Sequence, residues 1–181
     1  MKYKITLLLA ILLYSNSSFA SYDRGSWSHW KKSNVKVDIR QELLIRNGKN
    51  VVVELKGNIL RAKSGEWVGS YSNEILTMPK NIHIDHVVSL KEAYLSRTMD
   101  WSRTRKKEFA NDKKNLMITN SKENIKKSAK NISYYIPVHS RCEFIKRYKN
   151  IKKKYSLSYT EVEKIALKTE LKKCDKNGTN N

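Results

Sequence analysis

The sequence has no hydrophobic run long enough to cross a bilayer, which takes about 20 apolar residues. The apolar run from Ile5 to Tyr14 is about half that length, and it follows the basic start MKYK. Ser18 and Ala20 then have the spacing typical of a signal-peptidase site. We predict a signal peptide at residues 1–20 that is cleaved after Ala20, with an uncleaved anchor as the alternative. The protein would then be secreted or periplasmic, without stable membrane insertion.

Cysteine is scarce, since the 181 residues include only Cys142 and Cys174. No CxxC spacing and no histidine cluster accompanies the pair, so the sequence gives little support to a cysteine-based zinc site. An isolated pair in an exported chain is most simply one disulfide. We therefore predict a Cys142–Cys174 disulfide that joins two C-terminal helices.

Acidic residues are few beside the basic ones, with 17 Asp and Glu against 37 Lys and Arg, and the formal net charge is +20. Only two of the basic residues, Lys2 and Lys4, lie in the predicted signal peptide. A charge this large favours an anionic partner, and DNA or RNA fits best because binding releases counterions from the phosphate backbone. An anionic membrane surface and a merely solvated lysine-rich surface remain as alternatives, because charge alone does not separate them.

The mature chain has the length of one domain, with no internal repeat and no linker. Its first half predicts strands: a hairpin of Asn50–Leu55 and residues 59–63 around a Gly57-Asn58 turn, a second pair of Glu66–Tyr71 and Glu74–Thr77, and short strands at His83–Val88 and Leu116–Thr119. Asp38–Asn47 fits a helix or a strand.

Helices are predicted mainly in the second half of the chain. The expected segments are Leu90–Ser96, Trp101–Asn111 with Asp100 as its N-cap, a helix capped by Asn120 or Ser121, Arg141–Lys154, and a last helix that begins near Ser158 with Glu161 completing a capping box.

Two stretches carry side chains suited to phosphodiester hydrolysis. Asp85 and His86 follow one another at the end of a β-branched run, and Asn124 and Lys127 lie one turn apart on the helix after the second short strand. The imidazole of His86 has an ordinary pKa that suits a general base near neutral pH. Asp85 and Asn124 offer hard oxygen ligands for Mg²⁺, and Lys127 offers a positive charge for the phosphate.

Each of these residues also has a simpler interpretation. An Asp-His dipeptide is usually a surface pair, and an Asn-x-x-Lys spacing is usually a solvated helix face. Their combination in a strand, connector, strand, helix order favours a site. His83 shares a strand face with Asp85, and a packed or surface histidine is favoured over a metal ligand there.

Motifs along most of the chain resemble a known nuclease family. They are IDHVVSLKEAYLSR at 84–97, Trp101, Arg105, FAND at 109–112, NLMIT at 115–119 and NIKKS at 124–128, with YDRGSWSHW, RQELLI and SGEWVGSY upstream and YYIPVHSRCEFIKRY and YSLSYTEVE downstream. In this order they resemble the HNH, or His-Me finger, endonucleases. The resemblance is closest to a secreted bacterial branch related to the C-terminal nuclease module of GmrSD-type restriction enzymes.

The resemblance implies a ββα-metal core in which the strands His83–Val88 and Leu116–Thr119 and the helix from Ser121 form the site. It implies that His86 is the general base, that Asp85 and Asn124 hold the metal, and that Lys127 contacts phosphate. Asn115 would hold the loop that orients His86. The implied metal is Mg²⁺, with Mn²⁺ or Zn²⁺ as alternatives.

Other basic side chains could bind nucleic acid, although a solvated surface or core packing explains them nearly as well. The set predicted for this role consists of Arg105, Lys126, Lys127, Lys146, Arg147 and Lys149.

These observations predict an α+β single domain with a ββα-metal (His-Me finger) core, an N-terminal β-hairpin region and C-terminal helices. Residues 21–79 would be the N-terminal β-rich part, residues 80–175 the core with the C-terminal helices, and residues 176–181 a disordered tail. The expected activity is metal-dependent hydrolysis of DNA, with RNA as an alternative substrate, by a protein taken to be a monomer. One rival is a non-catalytic cationic protein that binds nucleic acid or the envelope. Another is a nuclease toxin with a protein inhibitor.

Overall fold

A computed structural model describes residues 21–27, 30, 37–96, 98 and 100–178 of the chain. The predicted signal peptide at residues 1–20 lies outside these residues, as do the last three residues of the predicted tail. Six helices and five strands are described: α1 Ile39–Asn47, β1 Lys49–Lys56, β2 Ile59–Val68, β3 Ile75–Leu76, β4 Ile82–His86, α2 Leu90–Leu95, α3 Arg103–Ala110, β5 Leu116–Asn120, α4 Ser121–Lys127, α5 Arg141–Lys154 and α6 Glu161–Gly178. This mixture confirms the α+β class.

The N-terminal part is a three-stranded antiparallel sheet in the order β1-β2-β3. The predicted hairpin is confirmed, and Gly57 in its turn has φ +61°, a left-handed conformation that glycine adopts without strain. Asp38–Asn47 resolves as a helix because the Asp38 side chain accepts a hydrogen bond from the Gln41 backbone and caps α1. In the second predicted pair, β2 continues to Val68 and pairs with the two residues of β3.

The second sheet contains only β4 and β5, which pair antiparallel with His86 opposite Leu116 and Ile84 opposite Ile118. On one face, Ile82 and Ile84 pack with Leu44 and Trp67 in a core shared with the first sheet. A larger core joins the residues after β4 to the helices, and Phe109, Phe144 and Tyr148 are among its fully buried members.

Two helix starts differ from the prediction. The cap of α3 is Ser102, whose hydroxyl accepts from the Arg105 backbone, so Asp100 does not cap this helix. The capping box of α6 pairs Thr160 with Glu163, because the backbone of each donates to the side chain of the other. Ser158 is instead held outside the helix by Lys152 Nζ, which donates to its carbonyl at 2.9 Å.

The C-terminal helices α5 and α6 are joined by the predicted disulfide, with Cα atoms of Cys142 and Cys174 5.5 Å apart. Beside them lies a buried ionic cluster in which Lys152 Nζ is 2.8 Å from Glu92 Oε1 and 2.5 Å from Glu163 Oε1. The Tyr148 hydroxyl lies within hydrogen-bond distance of both carboxylates. The cluster therefore links α2, α5 and α6. Among the described helices, none is long and apolar enough to span a membrane.

Candidate active site

The helix α4 follows β5 without a loop, because Asn120 ends the strand and caps the helix by accepting from the Glu123 backbone at 2.8 Å. This tight connection sets α4 against the β4-β5 pair. Asn124 and Lys127, one helical turn apart, both contact β4. The arrangement is two antiparallel strands followed by a helix, with the Asp85-His86 pair at the end of the first strand.

His86 is held in one tautomer by its surroundings. Its Nε2 lies 2.8 Å from the backbone carbonyl of Ala110, the last residue of α3. A carbonyl can only accept, so Nε2 carries the proton and Nδ1 of the neutral ring keeps its lone pair. Burial lowers the pKa of His86 to about 4, which keeps the imidazole neutral at physiological pH. The ring of Trp30 stacks on it at a centroid distance of 6.3 Å.

Asn115 fixes the chain that follows His86. Its Oδ1 accepts from the Val88 backbone at 2.8 Å, and its Nδ2 donates to the Val88 carbonyl at 3.1 Å. The Asn115 carbonyl also accepts from the Val87 backbone at 2.8 Å. Asn115 is itself buried, and its bonds hold the backbone of the two residues that follow His86.

One oxygen of Asp85 has two partners. The Tyr71 hydroxyl donates to Oδ2 at 2.7 Å, and Lys127 Nζ lies 3.0 Å from it. Burial and the neighbouring carboxylate raise the pKa of Tyr71 well above its ordinary value, so the phenol stays protonated as a donor.

The buried position of Lys127 contradicts the predicted contact between this lysine and phosphate. Its side chain is fully buried, and Nζ donates to the His86 carbonyl at 2.8 Å in addition to pairing with Asp85. A buried ammonium with these two partners does not face substrate. Lys127 instead ties α4 to the end of β4.

Asn124 is oriented by His83. The amide nitrogen of Asn124 lies 2.9 Å from His83 Nδ1, and because an amide nitrogen can only donate, the imidazole accepts. The side-chain oxygen Oδ1 is then the atom of Asn124 left for a ligand. His83, which was expected to be a packed or surface residue, therefore contacts a predicted site residue.

A pocket of about 240 Å³ brings Asp85, His86 and Asn124 together. Lys127 and Asn115 support this pocket from behind, and neither is among the residues that line it. The lining residues are Tyr22, Arg24, Ile84, Asp85, His86, Ser89, Leu90, Lys91, Asn124, Ser128 and Ala129.

The donor set of this pocket fits a hard divalent cation that is only partly coordinated by protein. Within the described residues there is no cluster of three or more His, Cys, Asp or Glu side chains that could enclose a metal. Asp85 and Asn124 supply one carboxylate and one amide oxygen, which suits Mg²⁺ because it retains several waters and binds substrate phosphate. The Lys127 charge beside Asp85 weakens the attraction for a cation, so the site favours loose binding.

The basic residues predicted to bind nucleic acid do not line this pocket. Lys126, Lys146 and Lys149 are exposed on α4 and α5. Arg105 is also exposed and lies over the Trp101 ring at 4.8 Å. Arg147 pairs with Glu143 and donates to the Leu116 carbonyl, and its contact with nucleic acid stays a prediction.

Sequence reasoning missed three residues at the site: Tyr71, Arg24 and Lys91. Tyr71 and Arg24 are distant in sequence from the Asp-His pair, and no local spacing connects them to it. Lys91 is one of many lysines, and its sequence position carries no distinguishing signal.

Comparison with known proteins identifies the family of the chain. Residues 27–170 match the family described as the C-terminal domain of GmrSD restriction endonucleases. The chain belongs to this family. Membership in the GmrSD C-terminal domain family indicates a nuclease that acts on nucleic acid.

One curated relative is a protein of Arthroderma benhamiae described as an uncharacterized secreted protein. It is 31% identical over 157 residues, which cover 84% of this chain and 76% of the relative. No solved structure matches the chain.

Proposed function

We propose that this member of the GmrSD C-terminal domain family is an exported HNH-type endonuclease that hydrolyses DNA with little sequence specificity. The observation that carries the proposal is the His86 ring, fixed through Nε2 to the Ala110 carbonyl in a pocket that also contains Asp85 and Asn124. A neutral imidazole with an unprotonated Nδ1 is the form that a general base requires. Among the described residues, Nδ1 has no hydrogen-bond partner.

In the proposed reaction, His86 Nδ1 takes a proton from a water molecule as the water oxygen attacks phosphorus. The bond from phosphorus to the 3′ oxygen breaks, and this oxygen takes up a proton from solvent, which leaves a 5′-phosphate and a 3′-hydroxyl end. His86 then returns its extra proton to solvent. The low pKa of His86 limits its strength as a base but also ensures that it is unprotonated when the water arrives. Asn115 keeps the backbone after His86 fixed during this step.

Asp85 and Asn124 would hold a divalent metal, Mg²⁺ by preference with Mn²⁺ or Zn²⁺ as alternatives. When bound, the metal would supply positive charge to the phosphate oxygens and to the leaving oxygen. Tyr71 and Lys127 both bind Asp85 Oδ2, and this fixes the carboxylate with Oδ1 available for a ligand.

Export of the protein is supported by two observations. The relative from Arthroderma benhamiae is described as secreted, and the Cys142–Cys174 disulfide suits an oxidising compartment. We propose a secreted or periplasmic location, with DNA rather than RNA as the principal substrate.

Digestion of supercoiled plasmid by the purified chain from Ser21 onward tests the proposal. We expect cleavage with Mg²⁺ and none with EDTA. His86→Ala should abolish cleavage while retention of DNA in a gel-shift assay persists. His139→Ala, which removes an exposed histidine away from the pocket, is the matched control and should cleave normally.

Two results would contradict the proposal. The first is a plasmid that stays intact with each of the three metals, Mg²⁺, Mn²⁺ and Zn²⁺. This result would favour the non-catalytic cationic protein. The second is cleavage by His86→Ala at the wild-type rate. Parallel digestion of single-stranded RNA compares the cleavage rates of the two substrates. A faster rate on RNA would overturn the proposed preference for DNA.

A further inference from the structure

The site has a charge requirement that the predicted residues do not meet. A phosphodiester carries a full negative charge, and more charge develops on its oxygens as water attacks. Lys127 was expected to neutralise this charge, but its ammonium is buried against Asp85. Side-chain cations that contact the phosphate beside the proposed metal therefore have to come from other residues of the pocket.

The pocket lining contains two such cations, Arg24 and Lys91. Within the described parts of the chain, no carboxylate lies within salt-bridge distance of either side chain. The Arg24 guanidinium lies beside the Tyr22 hydroxyl, with which it interacts by a side-chain hydrogen bond. Lys127, by contrast, is paired with Asp85 and the His86 carbonyl, so Arg24 and Lys91 are the basic residues that line the pocket.

We propose that Arg24 and Lys91 form a clamp that binds the phosphate of the nucleic-acid backbone in this pocket. The inference rests on the proposed nuclease function and adds the residues that hold its substrate. Arg24 can present two parallel N–H donors to two phosphate oxygens, and Lys91 acts as a point charge. Asp85 and Asn124 reach the same pocket from β4 and α4.

The turn that carries Arg24 is held in place by its own hydrogen bonds. Asp23 Oδ1 accepts from the Gly25 backbone at 2.8 Å, and the Ser26 hydroxyl donates to the Asp23 carbonyl at 2.8 Å. These bonds stabilise the single 3₁₀ turn Arg24–Ser26. A cation on such a turn loses less conformational freedom when it binds an anion.

Aromatic packing on both sides joins this turn to the helices around the site. Trp27 is buried against Phe109 of α3, with ring centroids 5.7 Å apart. On the other side, Tyr22 packs on Tyr94 of α2 at 5.6 Å. Because α2 also carries Lys91 in its first turn, the two cations belong to one packed unit.

Arg24 and the proposed base His86 line the same pocket, together with Asp85 and Asn124. A cation in this pocket is within reach of a phosphate that binds beside the base. The clamp therefore acts on the reacting phosphate and not on a distant part of the strand.

Steady-state cleavage of a fluorescent DNA oligonucleotide by the chain from Ser21 onward tests the clamp. Arg24→Ala should lower kcat/KM by about 10- to 100-fold, the scale of losing a charged donor to a reacting group. Lys91→Ala should lower it by roughly 3- to 30-fold, and Arg24→Lys should fall between Arg24→Ala and wild type.

Arg61→Ala and Lys63→Ala are the matched controls. Both residues are exposed on β2, and each substitution removes one positive charge at a position away from the pocket. They report the general loss of attraction to DNA, and we expect kcat/KM within about two-fold of wild type at 0.15 M salt. If Arg24→Ala and Lys91→Ala match these controls, the clamp is wrong even though the nuclease proposal stands.

Binding of inorganic phosphate gives a readout that does not depend on cleavage. In ³¹P NMR titrations with EDTA present, wild type and His86→Ala should broaden the phosphate signal, and Arg24→Ala should weaken that binding at least about ten-fold. If wild type cleaves no nucleic acid but still binds phosphate through Arg24, the nuclease proposal fails and the clamp stands. If phosphate binds wild type and Arg24→Ala equally, the clamp is overturned.

Discussion

Lys127 and Asp85 form a buried ion pair, with 3.0 Å between Nζ and Oδ2 and no exposed surface on the lysine side chain. Lys127 Nζ also donates to the carbonyl of His86, the next residue along β4. One ammonium therefore binds the side chain of the proposed metal ligand and the backbone of the proposed base. This ammonium fixes the positions of the two groups relative to one another.

Removing this ammonium should destabilise the whole fold. Lys127→Met leaves the Asp85 carboxylate buried without its cation, and we expect the free energy of unfolding to fall by about 3–5 kcal/mol. Urea unfolding at pH 7 measures the change. Lys126→Met, the exposed neighbour, should change it by less than about 0.5 kcal/mol.

The double variant Asp85→Asn/Lys127→Met separates the charge from the packing. It should recover part of the lost stability, because no uncompensated charge then remains buried. Equal stability of Lys127→Met and wild type would show that the pair contributes nothing to folding.

The pH dependence of cleavage should reflect the buried environment of His86. Burial lowers its pKa to about 4, so the neutral imidazole persists as the pH falls from 8 to about 5. Below that range the ring takes up a proton and kcat/KM should fall through a midpoint near 4. Cleavage rates measured from pH 3.5 to 8 at saturating metal test this. A midpoint at 6 to 7 would show that the ring is solvated in the active enzyme.

The disulfide should stabilise the protein without affecting the chemistry. Cys142 and Cys174 are separated by 32 residues. A loop of that length corresponds to about 3–4 kcal/mol of unfolded-state entropy. Cys142→Ser/Cys174→Ser should lose about this much in urea unfolding and keep its kcat at 25 °C. If the folded double variant instead has a lower kcat than wild type, the positions of α5 and α6 affect the active site.

The buried cluster around Lys152 predicts a stabilising substitution. Burial raises the pKa of Glu92 to about 6 from 4.5, so the folded protein binds this proton more tightly than the unfolded chain. Stability from this group is present at low pH and is lost as the pH rises through 6. Glu92→Gln should therefore be more stable than wild type by roughly 1–2 kcal/mol at pH 8, and nearly equal to it at pH 4.5.

Lys152 retains Glu163 at 2.5 Å in Glu92→Gln, so the substitution leaves no unpaired buried cation. Urea unfolding at both pH values measures the effect. Glu161→Gln, which alters an exposed pair with Lys164, serves as the control and should show no such gain. Lower stability of Glu92→Gln at pH 8 would mean that attraction between Glu92 and Lys152 outweighs the cost of burial.

Local patterns in the sequence were sufficient for most of the fold. The helix Arg141–Lys154 and the β1-β2 hairpin could be predicted because periodicity and turn chemistry act over a few residues. Helix starts were less predictable. Asp100 and Ser158 were both plausible caps, and tertiary contacts decided in favour of Ser102 and Thr160.

The sequence predicted which residues come together better than it predicted their environment. Asp85, His86 and Asn124 do meet in one pocket. Lys127 has the spacing of an exposed helix position, and only the packing of α4 against β4 shows that it is buried. Arg24 lies 62 residues before His86 in the numbering of the chain, and no local rule relates positions that far apart.

Tyr71 connects the N-terminal sheet, the pocket and the C-terminal helices. Its hydroxyl binds Asp85 at the active site, its ring packs on Phe144 of α5 with centroids 5.6 Å apart, and it lies in the loop between β2 and β3. A minimal nuclease cut from residue 80 onward would lose this tyrosine together with Arg24 and Trp27. Transplanting the ββα segment alone would therefore leave Asp85, the proposed metal ligand, with Lys127 but without its tyrosine partner, so the transferred unit has to include the loop that carries Tyr71.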